Sequence, residues 1–179
     1  MLSAPRLKPA VIRQSRTMRV LIFGNSGSGK STHAQALAAR AGIAHLDLDS
    51  IVWEPNQIAV LRPAAAIQQS LADFLAAHDT WVIEGCYGEL VEASARDATE
   101  LVFLNPGLDA CLANNRQRPW EPHKYSSSEA QNAMLANLQA WVTDYYHRRD
   151  QWSYQAHRRI FDTHSGHKVE HTTVLTPSW

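Results

Sequence analysis

The sequence predicts an α/β fold, a parallel sheet covered by helices on both faces. Three observations predict it. Short apolar runs alternate with stretches of helical period along the chain, an alternation that right-handed β-α-β crossovers turn into a parallel sheet. The apolar runs are continuous rather than alternating, the pattern of strands buried on both faces. Charged and glycine residues follow the runs directly, at Gly24–Lys30, Asp47/Asp49 and Glu84-Gly85, and the carboxyl ends of strands are where such sheets bind ligands.

Val20 to Phe23 is the first strand, and it feeds Gly24-Asn25-Ser26-Gly27-Ser28-Gly29-Lys30-Ser31-Thr32. This matches G-x-x-x-x-G-K-[ST], a phosphate-binding P-loop. Its glycines let backbone N–H groups turn inward around a β-phosphate at the positive end of a helix. Lys30 is expected to reach the β- and γ-phosphates and Ser31 to bind Mg²⁺. The following helix, Lys30 to Ala41, carries Ala34, Leu37, Ala38 and Ala41 at helical spacing, with Gly42 as its C-cap.

Ala44 to Asp49 alternates apolar and polar residues and reads as a strand ending in carboxylates. Two residues apart on a strand, Asp47 and Asp49 point to one face, one near Mg²⁺ and the other near an acceptor hydroxyl. The pattern fades near Glu54-Pro55-Asn56. Residues 62–77 open with Arg62-Pro63 and align Ile67, Leu71, Phe74 and Leu75 as a helix. Trp81-Val82-Ile83 is a buried strand ending in Glu84-Gly85, and Leu101 to Leu104 is another, closed by Asn105-Pro106-Gly107.

Asp109 to Asn115 is a short helix that leads into the proline-punctuated flap Arg116-Gln117-Arg118-Pro119-Trp120-Glu121-Pro122. Ser126-x-x-Glu129 reads as a capping box, followed by a long helix through Ala130, Met134, Leu138, Trp141 and Tyr145 toward Arg149. A helix near Gln155 to Phe161 and a strand from Val169 to Leu175 complete the pattern.

The 179 residues make a single-domain length, with 17 basic and 17 acidic side chains, so the whole chain is not an electrostatic binder of nucleic acid or membrane. Residues 1–17 hold four basic residues and no acidic one. They read as a disordered extension preceding a domain over 18–179, or as an over-long start with translation beginning at Met18. Cys86 and Cys111 are too few for a disulfide framework, which fits a reducing cytoplasm. No apolar run reaches membrane-spanning length. The nine histidines show no metal-ligand spacing, so zinc is not expected.

The P-loop, the acidic residue after the second strand, the glycine after the third and the Arg-x-Arg flap together resemble the adenylate kinase and shikimate kinase group of small P-loop kinases. Leu48-Asp49-x-x-x-Trp53 and Trp81 to Tyr87 are most similar to FlaR-like proteins, known as DNA topology modulation proteins. The resemblance runs from about Met18 to Thr176. It implies a three-layer P-loop NTPase fold with a five-stranded parallel sheet in the order 2-3-1-4-5. It also implies ATP with Mg²⁺ as phosphoryl donor, and an arginine lid. Asn105 stands where many P-loop proteins carry a metal-side Asp, so Asp47 is expected in that role beside Ser31. The flap, 116–125, is too short for a folded lid.

Together these readings make Lys30, Asp49, Arg116 and Arg118 the catalytic candidates, the two arginines suiting the charge that spreads over a phosphoryl group in flight. Asp49, Trp53, Glu84, Gly85 and Tyr87 are the candidates for the acceptor pocket. Arg149, Arg158 and Arg159 form a second tier of phosphate contacts. The expected function is transfer of the γ-phosphoryl group to a small acceptor, a nucleotide or a hydroxylated metabolite. The alternative is an ATP-binding switch acting on a protein or DNA partner.

Overall fold

The structure is a computed structural model that describes residues 17–55, 57–121 and 125–175. The expected extension, apart from residue 17, and the centre of the flap, 122–124, lie outside the described residues. Along the chain run β1 Arg19–Gly24, α1 Lys30–Ala41, β2 Ala44–Asp47, α2 Asp49–Val52, β3 Trp53–Glu54, β4 Gln57–Leu61, α3 Ala64–Ala77 and β5 Trp81–Gly85. They are followed by α4 Gly88–Ala95, β6 Glu100–Leu104, α5 Leu108–Arg116, α6 Ser128–Thr143, a 3₁₀ turn Asp144–Tyr146, α7 Tyr154–Thr163 and β7 His167–His171.

Five strands pair in parallel in the order β2-β5-β1-β6-β7. Counted among the strands of this sheet alone, that is 2-3-1-4-5, the order that the resemblance implied. Period-two alternation divides the strand residues between two cores. Leu21, Phe23, Trp81, Ile83, Leu101 and Phe103 pack with residues of α2, α3, α4 and α7 on one face. Val20, Ile22, Val82, Val102 and Leu104 pack with Ala34, Leu37 and Ala38 of α1 on the other. All eleven strand residues are buried. Small residues on α1 let it lie close to the sheet, and the loop before it is thereby held at the end of β1, the central strand.

Several elements differ from the sequence reading. The second strand stops at Asp47, because Leu48 turns to helical angles (φ −61°, ψ −25°) and Asp49 opens the one-turn helix α2. The two carboxylates therefore do not project from one strand face. A two-stranded antiparallel hairpin, β3 and β4, occupies the stretch where the pattern faded, and α4 was not anticipated. The Ser126–Glu129 capping box does not form: Ser127 is the N-cap of α6, its hydroxyl accepting from the Ala130 N–H at 3.1 Å. That helix ends at Thr143 and tightens into the 3₁₀ turn, so it stops short of Arg149. The last strand ends at His171, and Val174 and Leu175 leave the sheet. No helix among the described residues is long and apolar enough to cross a membrane.

His157 locks α7 to the core. Fully buried, it contacts Phe23 and Phe103 edge-on; its Nδ1 lies 2.7 Å from the Tyr145 hydroxyl and its Nε2 2.9 Å from the Cys86 carbonyl oxygen. The carbonyl can only accept, so Nε2 carries the proton and Tyr145 donates to Nδ1. Burial pushes its pKa down to about 4. The unfolded chain therefore takes up this proton first, and stability falls as pH drops from about 6.5 to about 4, by roughly 1.4 kcal/mol per unit. In urea unfolding, the stability advantage of the parent over His157→Gln should shrink by about 3 kcal/mol between pH 7 and pH 4. Parallel stability curves for the two proteins would show that the imidazole is not held neutral by the fold.

Candidate active site

The P-loop is fixed by side-chain amides on three sides. Gly27 holds φ +78°, and a Cβ there would meet the Cys111 carbonyl oxygen at 2.3 Å, so only glycine fits against α5. Asn114 Nδ2 donates to the Gly27 carbonyl at 2.8 Å, and the Ser26 hydroxyl donates to Asn115 Oδ1 at 3.2 Å. Asn25 Nδ2 donates to the Val142 carbonyl in the last turn of α6 at 3.1 Å, while its Oδ1 accepts from the Ser26 N–H. The loop is thus anchored to both helices between which the flap runs. Asn114 and Asn115 were not anticipated: an asparagine in a helix carries no periodic signal, and only the folded loop shows what they hold.

Lys30 is nearly buried, and its Nζ donates to the Asn25 carbonyl at 2.9 Å, drawn across the loop it serves. Ser31 follows on the first turn of α1. On β5, Glu84 has the parity of Val82 and points to the α1 face; Asp47 lies opposite it in the β2–β5 register. Glu84 is 2% exposed and its Oε1 has no hydrogen-bond partner. Burial first, then the Asp47 carboxylate, push Glu84 up to about 7, with Lys30 and a hydrogen bond from Ser31 pulling the other way. The buried carboxylate expected at the acceptor is therefore beside the lysine and serine of the loop.

Asp49 faces a different set of groups. The Tyr87 hydroxyl donates to Asp49 Oδ1 at 2.5 Å, and Trp53 Nε1 donates to the Tyr87 oxygen at 2.7 Å. The Asp49 N–H donates to Asp47 Oδ1 at 2.9 Å, joining the two carboxylate positions through the backbone. Burial and the neighbouring Asp49 charge push the Tyr87 phenol far above its ordinary pKa, so it remains a donor. Trp53, Tyr87 and Asp49 form one hydrogen-bonded chain. Gly85 is buried at the end of β5, where a Cβ would lie 2.7 Å from the Leu48 side chain; this close approach lets the chain turn into α2.

A cavity of about 520 Å³ opens over the loop, lined by Gly27, Gly29, Lys30, Ser31, Thr32 and His33 on one side. Arg118, Pro119, Val174 and Leu175 are among the residues opposite. Arg118 is held by Glu121 at 3.2 Å and lines, with Arg116, a smaller recess against Leu135 and Leu138 of α6. Only Arg118 of the two also borders the larger cavity over the loop. Arg158 ties α7 to β7 through Asp162 and Glu170, and Arg159 pairs with Glu92, so both are engaged away from the loop. Asn105 accepts from the Tyr146 hydroxyl at 2.7 Å and donates to Glu170 at 3.1 Å, a brace at the sheet edge. Both cysteines are free thiols.

The sheet order, with a P-loop between the central strand and its helix, gives this chain the fold of the P-loop kinases. Among solved structures it is similar to a sugar kinase from Janibacter sp. HTCC2649, at 15% identity over 90% of this chain and 88% of that one, with a TM-score of 0.50. A gluconokinase from Sinorhizobium meliloti 1021 aligns at 16% identity (90% and 85% covered, TM-score 0.47). A shikimate kinase from Aquifex aeolicus vf5 aligns at 19% identity (86% of each chain, TM-score 0.46). No family model and no curated protein matches the sequence.

The loop's dependence on Lys30 can be checked directly. Replacing Lys30 with Ala removes the one side-chain cation on the loop and should weaken Mg·ATP binding by at least about tenfold in calorimetric titration, the scale of a charge-assisted hydrogen bond. Undiminished binding would show that phosphates do not rest on this loop.

Proposed function

We propose that this protein is an ATP- and Mg²⁺-dependent phosphotransferase that moves the γ-phosphoryl group to a small hydroxylated acceptor. The observation that carries this reading is the Trp53–Tyr87–Asp49 chain, which presents a carboxylate at the strand ends beside the loop. A protein that only bound or slowly hydrolysed ATP would need the loop and the metal side but not this second constellation. The likeness of Leu48-Asp49-x-x-x-Trp53 and of Trp81 to Tyr87 to FlaR-like proteins supports a common site arrangement. The sugar kinase sharing this fold acts, by its name, on a hydroxylated molecule.

The residues present fit the donor. Gly27 and Gly29 hold positive φ angles along the cavity, and the Ser28 hydroxyl is buried without a partner. Lys30 is positioned to exchange its loop carbonyl for phosphate oxygens. Ser31 would hold the metal, with Asp47 and Glu84 behind it. A magnesium ion in such a site would be bound by one or two protein groups and by substrate phosphates. Bound Mg·ATP supplies an electrophilic phosphorus and a leaving group whose charge the metal offsets. The chain supplies positioning: Lys30 holds the phosphates, Arg118 stands over the cavity, and Asp49 orients the acceptor hydroxyl and receives its proton.

Asp49→Asn keeps size and much of the hydrogen bonding while removing the basic oxygen. Mg·ATP affinity should stay within about twofold, and acceptor-dependent turnover should fall by roughly 10²-fold or more, measured on one preparation. Loss of both together would make Asp49 a metal or folding residue; loss of neither would remove it from the reaction.

A further inference from the structure

Asp49 opens a helix of a single turn, α2, which is too short to fix a side chain by itself. What holds its carboxylate is Tyr87, whose hydroxyl donates to Asp49 Oδ1 at 2.5 Å while accepting from Trp53 Nε1 at 2.7 Å. A phenol has one proton to give, and here it goes to the carboxylate. Packing alone does not require that hydroxyl. Tyr87 is 5% exposed in the core cluster that contains Leu48, Ile51 and Leu90, where a phenylalanine ring would fill the same space without a polar group to bury.

The backbone on either side of Tyr87 is pinned as well. Before it, the Cys86 carbonyl accepts from His157 Nε2 at 2.9 Å; after it, the Gly88 N–H donates to the Gln151 carbonyl at 3.0 Å. A Cβ on Gly88 would meet that carbonyl oxygen at 2.3 Å, so the two segments lie in direct contact. The segment carrying Gln151 is held in turn by Arg148, its side chain 7% exposed. Arg148 Nη1 and Nη2 donate to the carbonyls of Trp141 in α6 and of Trp152, at 3.1 and 2.6 Å. Val142, next to Trp141, supplies the carbonyl that anchors Asn25 of the P-loop. One frame thus fixes both the phosphate-binding loop and the tyrosine that holds Asp49.

We infer that Tyr87, backed by Trp53, is a positioning residue: it sets the direction in which the Asp49 carboxylate meets the acceptor hydroxyl, and it contributes to turnover only through Asp49. This rests on the phosphotransferase reading and deepens it. In the transfer, an acceptor hydroxyl oxygen forms the new bond to the γ-phosphorus as the bond from that phosphorus to the β-phosphate bridging oxygen breaks. The electron pair leaves with ADP, and the hydroxyl proton passes to the Asp49 carboxylate. Tyr87 keeps its own proton throughout, because burial and the Asp49 charge hold the phenol far above its ordinary pKa. Trp53 strengthens the bond from the far side, since each hydrogen bond in a chain polarises the next.

The test is a double-mutant cycle on ADP formation by the full chain with Mg·ATP, using whichever of glucose, gluconate, glycerol, adenosine and AMP the parent turns over fastest. A misplacement of about 1 Å costs on the order of 10²-fold in rate. Tyr87→Phe should therefore lower kcat by about tenfold or more, with the acceptor KM and Mg·ATP affinity within about twofold of the parent. Trp53→Phe, one bond further out, should lower kcat by less. In the Asp49→Asn background, adding Tyr87→Phe should cost less than about twofold, because the group it positions is already gone. An equal loss in both backgrounds, or no loss in the parent, would overturn the inference and leave the phosphotransferase reading standing. If Tyr87→Phe fails to bind Mg·ATP, Trp53→Phe takes its place in the cycle with the same two outcomes. If none of the five acceptors raises ADP formation above the rate with water, the phosphotransferase reading fails, and the inference with it.

Discussion

A desolvated carboxylate beside a desolvated ammonium governs this structure. Glu84 and Lys30 are both almost removed from water, Glu84 near the end of β5 and Lys30 at the start of α1. Neither would be placed there for stability alone, because taking charges out of water costs more than an ordinary ion pair returns, and losing one partner strands the other. The arrangement makes sense as a site held ready for a ligand that brings both phosphate and metal. The amide anchors follow from the same need. Asn25, Asn114 and Asn115 hold the loop's backbone so that its N–H groups stay turned inward.

The sheet then sorts the chemistry by parity. On the α1 face, Asp47 and Glu84 stand beside Ser31, where a metal on the phosphates would be balanced. The turn at Leu48 removes Asp49 from that alignment and gives it to Tyr87 and Trp53. One residue of helical backbone thereby separates two carboxylates that a continuous strand would have kept together.

Much of this was legible in the residues. The P-loop, the strands it joins and the parallel sheet follow from a motif with strong local constraints and from continuous apolar runs, and the order of the strands from the resemblance to small P-loop kinases. What escaped had weak local signals. Leu46 and Leu48 continue an alternating pattern, so the four-residue helix after Asp47 was invisible until Gly85 was seen to admit the Leu48 side chain. Helix α4 has eight residues and brings few large apolar groups, too short for a period to stand out. Ser126 and Ser127 offer the same capping chemistry, and only the entry of the chain into α6 chooses between them. Val174 and Leu175 look like strand residues, yet they line the cavity. Glu84 was expected at the acceptor because proximity in sequence to Gly85 and Tyr87 hid the face to which it points.

The central claim is that the α1 face of the sheet's carboxyl end is the metal side of a nucleotide site, and Glu84→Gln tests it through binding alone. ATP affinity should be titrated with and without Mg²⁺ in parent and variant. Groups that support a metal ligand from behind typically contribute 10- to 100-fold in affinity. The expected result is that the Mg²⁺-dependent gain in ATP affinity falls by about tenfold or more, while affinity for metal-free ATP is unchanged or tighter. An unchanged Mg²⁺-dependent gain in the variant would contradict the assignment.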